Sequence, residues 1–399
     1  MTGHDDDPSS TSGTPAEVFL AFLKLGLTAF GGPIAHLGYF RDEFVTRRRW
    51  LSEAAYADLV ALCQFLPGPA SSQVGFGLGL MRAGPLGALA AFLAFTLPSA
   101  ILMVAFAFGA TMIEGPVGSG ILTGLKIVAV AIVAQAVWGM AKSLTPDRQR
   151  ATIAVLAVLI VIALGGSLGQ IAAIVFGAVA GYTVCRNLAL PEAGSMSFPV
   201  SRTVGIVALC AFFALLAGLP LLAGTGQPFA IFDAFYRAGS LVFGGGHVVL
   251  PLLEAETVAR GWVDGDGFLA GYGAAQAVPG PLFTFAAYLG TVLGPEPNGI
   301  AGAAIALAAI FLPGFLLLVG ALPFWNALRA RPWARAAMAG TNAAVVGILG
   351  AALYDPVFTS AITSPGAFAL ALVCFALLMV WKAPPWLVVV VAALGGIFV

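Results

Sequence analysis

Residues 19–69 read FLAFLKLGLTAFGGPIAHLGYFRDEFVTRRRWLSEAAYADLVALCQFLPGP, and residues 232–281 read FDAFYRAGSLVFGGGHVVLPLLEAETVARGWVDGDGFLAGYGAAQAVPGP. These are one pattern written twice. A shift of 213 lays Phe19, Phe22, Lys24, Gly26, Phe30, Gly31 and Gly32 over Phe232, Phe235, Arg237, Gly239, Phe243, Gly244 and Gly245, and Glu43 over Glu256. A shift of 212 then aligns Trp50 with Trp262, Gln64 with Gln276, and Pro67-Gly68-Pro69 with Pro279-Gly280-Pro281. At 215, Gly87 and Pro98 fall on Gly302 and Pro313, and further on GLKIVAVAIV at 124–133 lies over GTNAAVVGIL at 340–349. Order, chemistry and spacing persist too long for chance, so the chain is an internal duplication.

Composition says where such a chain lives. Of its 399 residues 60% are apolar and 9% charged, against roughly 45–50% and about 25% in soluble domains. Mean hydropathy is +0.99. A soluble globule of this size could not hide so much apolar surface. The fold class is therefore an all-α polytopic membrane protein, with the lipid bilayer as its first partner. Eighteen Lys plus Arg balance eighteen Asp plus Glu, so no basic excess points to nucleic acid. Cys63, Cys185, Cys210 and Cys374 sit singly in or beside apolar runs, which suggests neither a disulfide framework nor a Cys-based metal site. Residues 1–15 are acidic and polar, lack the basic start of a cleavable signal, and are expected to be a disordered tail. Fifty Gly and twenty-five Pro suit membrane helices that pack closely or break part-way.

Uninterrupted apolar segments run at 86–110, 121–141, 151–166, 169–185, 203–222, 300–322, 337–354, 366–381 and 385–399. Regions 17–81 and 230–295 are apolar too, but broken by glycines, charges and PGP. Paired loops carry opposite loads of basic residues. Arg41, Arg47, Arg48 and Arg49 face only Arg260 among Glu254, Glu256, Asp264 and Asp266; the 111–120 connection has no Lys or Arg where its counterpart has Arg329, Arg331 and Arg335. Lys142, Arg148 and Arg150 then face only Asp355. The positive-inside rule makes these alternations a sign of inverted halves, with 203–222 as the linking span. Parity then requires 53–81 to return to the side it left, either as a helix–PGP–helix hairpin at membrane depth or as two full crossings. The total is 9 to 13 crossings.

Broken helices in duplicated transporters place the substrate where the repeats meet, at free N–H groups and positive helix ends. Each repeat offers two such breaks: Phe30-Gly31-Gly32 with Pro67-Gly68-Pro69, and Phe243-Gly244-Gly245-Gly246 with Pro279-Gly280-Pro281. The plain alternative is kinks for packing. Ser71 and Ser72 after the first PGP, and Thr284 after the second, supply hydroxyls near a helix start, where oxyanions bind well. Lys24 and Arg237 are equivalent cations that could share a divalent anion, or snorkel to the interface. Lys126, whose counterpart is Asn342, fits a snorkel better. Gln64 and Gln276, three residues before each PGP, could orient an oxyanion or tie helices together. Glu43, Asp58, Asp233 and Glu256 are candidates for gating or proton coupling, with interfacial charge as the alternative for the two glutamates. His247 could relay protons, as could His36, although the two do not align. With no GxxxxGK[ST] loop, no HExxH and only three dispersed histidines, ATP hydrolysis, metal sites and organic cofactors are not expected. A driving ion gradient or the cargo's own electrochemical gradient is the remaining energy source, and nothing clusters as an enzyme's residues would.

The two stretches 22–79 and 235–290, FLKLGLTAFGGP through VGFGLG and FYRAGSLVFGGGH through FTFAAYLG, resemble the two signatures of the chromate ion transporter family in its long, fused form. The resemblance implies a multi-pass carrier of the bacterial inner membrane that exports chromate and confers resistance. Sulfate is the similar physiological or competing anion, the proton motive force is the energy source, and a homodimer is an open possibility. It carries onto Phe30-Gly31-Gly32 with Pro33, Gln64 with Pro67-Gly68-Pro69, Phe243 to Gly246 with His247, and Gln276 with Pro279-Gly280-Pro281. Lys24 and Arg237 lie inside the same signatures. The expected division is a first repeat at 16–186, a linker with one membrane helix at 187–228, and a second repeat at 229–399. Sulfate or a related oxyanion, taken up or exchanged, is the alternative cargo.

Overall fold

A computed structural model describes residues 13–110, 115–185, 200–329 and 331–399. Residues 1–12 of the polar tail, 111–114 of the connection lacking basic residues, and 187–199 of the linker lie outside the described residues. Among the described residues every regular element is helical.

The first repeat opens with α1 (Pro15–Thr28), whose N-cap Thr14 accepts the Glu17 N–H at 3.2 Å. The chain breaks at Gly31, where φ is +102°, and returns as α2 (Gly32–Phe40), extended by a wider turn over Arg41–Arg47. Helix α3 (Glu53–Phe65) starts on Ser52 and stops at the first PGP. Helix α4 (Ala70–Ala110) follows, bent at Ala83 and Gly84 just before Pro85. Next come α5 (Pro116–Leu144), α6 (Arg148–Leu164), α7 (Gly166–Val184) and the linking α8 (Arg202–Leu222). The second repeat replays the sequence: α9 (Gln227–Ser240), α10 (Val249–Thr257), α11 (Gly265–Ala275), α12 (Phe285–Val292) and α13 (Gly299–Ala321). Asp264 caps α11 from the position equivalent to Ser52. The chain finishes with α14 (Trp325–Arg329), α15 (Pro332–Ala352), the short α16 (Thr359–Ala361), α17 (Pro365–Met379) and α18 (Pro385–Gly395).

Among the described residues six helices are long and apolar enough to cross a membrane: 70–110, 116–144, 166–184, 202–225, 299–328 and 332–361. The remaining uninterrupted segments form the shorter apolar helices α6, α17 and α18. Their outer faces carry bare apolar side chains such as Leu86, Ile162, Leu221 and Ile300, each at least 67% exposed, as lipid-facing residues would be.

The interrupted regions turn back. Gly13 N–H donates to Arg82 O at 2.9 Å, Arg82 pairs with Glu17, and Arg48 lies 4.0 Å from the same carboxylate. Both guanidinium groups also cover the Trp50 ring. Residues 53–82 therefore leave and re-enter one end. Two full crossings would also do this, but α3 has 13 residues, about 20 Å of helix, against a hydrocarbon core of about 30 Å. The hairpin is re-entrant. In the second repeat Gly294 N–H donates to Trp262 O and Tyr288 Oη to Gly267 O, closing α11 and α12 in the same way.

Beyond its bend α4 runs to the opposite end. Ala107 and Ala110 there share a cavity with Asp264 and Asp266. Arg48 and Asp264, in corresponding loops, thus stand at opposite ends of the molecule, and the repeats are inverted. The halves are also interlocked. The α6–α7 hairpin of the first packs on α15 of the second, and α17–α18 of the second packs on α5 of the first. Glycines permit this: a Cβ on Gly340 would fall 2.0 Å from Gly177 O, and one on Gly124 2.0 Å from Ala392 O.

Candidate functional site

The four breaks meet, and they meet reciprocally. The Gly68 N–H of the first PGP donates to Val242 O at 2.7 Å, and the Gly280 N–H of the second PGP donates to Ala29 O at 2.9 Å. Ala29 and Val242 are equivalent and immediately precede Phe30 and Phe243. Each PGP is thus bonded to the opposite repeat's FGG. Beneath them, a Cβ on Gly68 would stand 3.0 Å from Gly314 Cα, and one on Gly280 would stand 2.9 Å from Ser99 Oγ. Ser99 and Gly314 are themselves equivalent, each following the aligned prolines Pro98 and Pro313.

Glycine is required here for its conformation as well as its size. Gly68 and Gly280 have φ of +123° and +92°, a region side chains disfavour. Pro67, Pro69, Pro279 and Pro281 fix the flanking φ, so each tight turn is preset. Gly31, Gly32, Gly244 and Gly245 also have positive φ. Above Gly32 a Cβ would meet nothing within 4 Å, so its backbone is open to a small ligand.

Ser71 and Ser72 are buried in the first turn of α4, and Ser72 Oγ has no hydrogen-bond partner. Thr284 is buried as well, but its hydroxyl donates to Pro281 O at 2.8 Å. Gln276 ends α11 with Nε2 buried and unpartnered, whereas Gln64 is exposed on α3. Phe30 and Phe243 are half-buried at their breaks. His247 Nδ1 is hydrogen-bonded to Tyr272 Oη at 2.7 Å.

The cations and carboxylates form two other clusters. Glu43, 6% exposed, accepts Arg47 at 2.9 Å and Arg48 at 2.7 Å, with Lys24 Nζ at 3.6 Å. Glu256, also buried, pairs with Arg260, lies 3.8 Å from Arg237 Nε, and accepts Ser167 Oγ at 3.1 Å. Arg237 is bonded to buried Asp233 besides. Lys24 and Arg237 therefore do not converge on one anion. Each is held by its own repeat's glutamate, at opposite ends, because a buried carboxylate needs a cation close by. Asp58 is buried on α3 and accepts the Trp325 Nε1–H of the other repeat at 3.1 Å.

Two further roles emerge in three dimensions, one at Gln73 and one at His36, named above only as a possible proton relay. Gln73, fully buried, donates from Nε2 to Pro67 O at 3.0 Å and to Gly314 O at 2.9 Å, tying the first PGP to the second repeat. His36 Nε2 donates to Ala29 O at 3.2 Å, the carbonyl that also accepts Gly280. The one sequence hint was position: Gln73 falls in the first turn after PGP, and His36 just after FGG.

The chain matches the family described as "Chromate transporter" over residues 16–182 and again over 229–397. It is 31% identical to the chromate transport protein of Pseudomonas aeruginosa, covering 95% of this chain and 90% of that one. It is 28% identical to the probable chromate transport protein of Synechococcus elongatus, over 94% and 93% of the two chains, and 26% identical to the chromate transport protein of Cupriavidus metallidurans, over 96% and 92%. No solved structure gives a significant match. Matched once in each half and over nearly its whole length by these relatives, the chain belongs to the chromate transporter family.

Proposed function

We propose that this protein is a secondary transporter that moves chromate out of the cytoplasm across the bacterial inner membrane, drawing on the proton motive force and so conferring chromate resistance. The reciprocal bonding of each PGP to the other repeat's FGG carries this reading. It gathers open backbone, helix starts and unpaired polar groups near the middle of the bundle, the kind of place where broken-helix transporters hold anions. A tetrahedral dianion there would be held by backbone N–H groups around Gly31, Gly32, Gly244 and Gly245, with Ser72 and Gln276 as side-chain donors. Charge-assisted hydrogen bonds of this sort contribute roughly 1.5–3 kcal/mol each. Glu43 and Glu256, with Lys24 and Arg237, act on either side of the site as gating or proton-coupling clusters, and His247 with Tyr272 offers a proton path beside the second FGG.

Such a site reads shape and charge, so sulfate competes with chromate. Expression in a chromate-sensitive bacterium tests direction: an exporter lowers cell-associated chromate and raises tolerance. Raised accumulation would overturn efflux in favour of uptake.

A further inference from the structure

The two re-entrant modules are alike in sequence and unlike in packing. In the second, α11 lies on α5, with Ala270 and Ala274 clustered against Leu125 and Val128. Leu269 is 1% exposed, a Cβ on Gly273 would fall 2.2 Å from Leu125 O, and Lys126 Nζ is 2.9 Å from Asp266 Oδ1. A shift of 212 carries Asp266, Leu269, Gly273 and Gln276 onto Ala54, Ala57, Ala61 and Gln64, all four exposed, and Ala270 and Ala274 onto Asp58 and Leu62, which are buried on the side that meets Trp325. Their equivalent partner is α15, and among the described residues α3 has no comparable packing on it. On α15, Asn342 takes the place of Lys126, and its Oδ1 is buried without a hydrogen-bond partner. The same inequality separates α10 from α2. Pro251 and Leu252 are buried and the Pro251 carbonyl accepts Gln170 Nε2 at 2.8 Å, whereas Gly38 and Tyr39, at the corresponding places, are exposed.

We propose that the α5–α11 contact, latched by the Lys126–Asp266 ion pair, is the gate that closes the Asp264 end of the transport path. The cycle exchanges it for its repeat equivalent, α3 seated on α15, which closes the Arg48 end. The inference rests on the transport reading above. In an inverted duplication each half can adopt the packing the other holds, so one closed gate and one open gate define the two access states. The small residues at spacings of three and four on α3 suit close docking of a helix, as Gly273 does on α5. The latch has no counterpart, since Ala54 and Asn342 carry no charge. It therefore biases the resting chain toward closure of the Asp264 end.

The test reads conformation and needs no flux. In a background with Cys63, Cys185, Cys210 and Cys374 replaced, Ala61→Cys is reconstituted in vesicles and labelled with a membrane-impermeant maleimide from either side. Labelling is expected from the Arg48 side only. Adding Lys126→Gln, or separately Asp266→Asn, should lower the ratio of open to closed α3 face about threefold, the scale of one partly exposed ion pair, and slow labelling by at most that factor. The double exchange Lys126→Asp with Asp266→Lys should restore the rate. No labelling from either side would mean that the α3 face meets lipid and would overturn the proposal, as would labelling from the Asp264 side or a rate indifferent to both latch variants. A chain that shows the shift yet moves no chromate would retain this gate and lose the transport reading instead.

Discussion

Pro33 and Gly246 occupy the same place in the two repeats and touch each other: a Cβ on Gly246 would lie 3.0 Å from Pro33 Cγ. A residue can meet its own equivalent only beside the axis that relates the halves. The pseudo-two-fold axis therefore passes between the two FGG breaks, and the reciprocal Gly68–Val242 and Gly280–Ala29 hydrogen bonds flank it. A ligand on that axis would see both repeats alike, as a tetrahedral anion can.

Gly280→Ala is expected to abolish transport. Its φ of +92° and the Ser99 Oγ atom 2.9 Å from the new methyl leave no relaxed geometry. Backbone strain of this sort costs roughly 1–3 kcal/mol. Gly218→Ala on the linking α8, where a Cβ meets nothing within 4 Å, is the control and should transport normally. Chromate flux together with thermal unfolding in detergent separates a lost site from a lost fold.

Gln73→Leu removes both bonds from Nε2, to Pro67 O and Gly314 O. The expected loss of stability is about 1–3 kcal/mol, because buried carbonyls lose a donor. Melting should fall by several degrees, and chromate should protect the variant less than the parent.

Glu256→Gln should destabilise more than Glu43→Gln. Both carboxylates are buried, but both cations around Glu256 are a third exposed or less, whereas of the three around Glu43 only Arg48 is so shielded, and Lys24 and Arg47 are more than half exposed. Removing one partner of a well-buried pair costs about 3–5 kcal/mol, and solvent around Glu43 lessens that figure. Equal melting points for the two variants would contradict the asymmetry.

Topology offers an independent check. Arg48 and Asp264 stand at opposite ends, and the arginine-rich loop is expected in the cytoplasm. Thiol labelling of Arg48→Cys from the cytoplasmic side and of Asp264→Cys from the outer side is the predicted pattern. Finding both on one side would contradict inverted repeats.

Much of this architecture is legible in the sequence, because duplication is a comparison the chain makes with itself. The FGG and PGP breaks, their pairing by shift, and the alternating arginines all follow from residue identity and order. What lies beyond reach is which equivalent positions touch across the axis. Nothing in the linear order says that Gly68 bonds to Val242, nor that Gln73 bridges to Gly314. Lys24 and Arg237 show the same limit. Their equivalence suggested a shared anion, but their helices carry them to opposite ends, where Glu43 and Glu256 hold them. Exchange of the α6–α7 and α17–α18 hairpins is likewise a three-dimensional fact, foreshadowed only by an excess of glycine.

Chromate flux in proteoliposomes tests the central claim most directly. Purified protein is reconstituted, a pH gradient of either sign is imposed, and chromate movement is followed with and without external sulfate. The account predicts chromate movement that reverses with the gradient, is inhibited by sulfate, and is absent in Gly280→Ala protein that remains folded. Sulfate movement that chromate cannot inhibit, or no movement of either anion through well-folded parent protein, would contradict it.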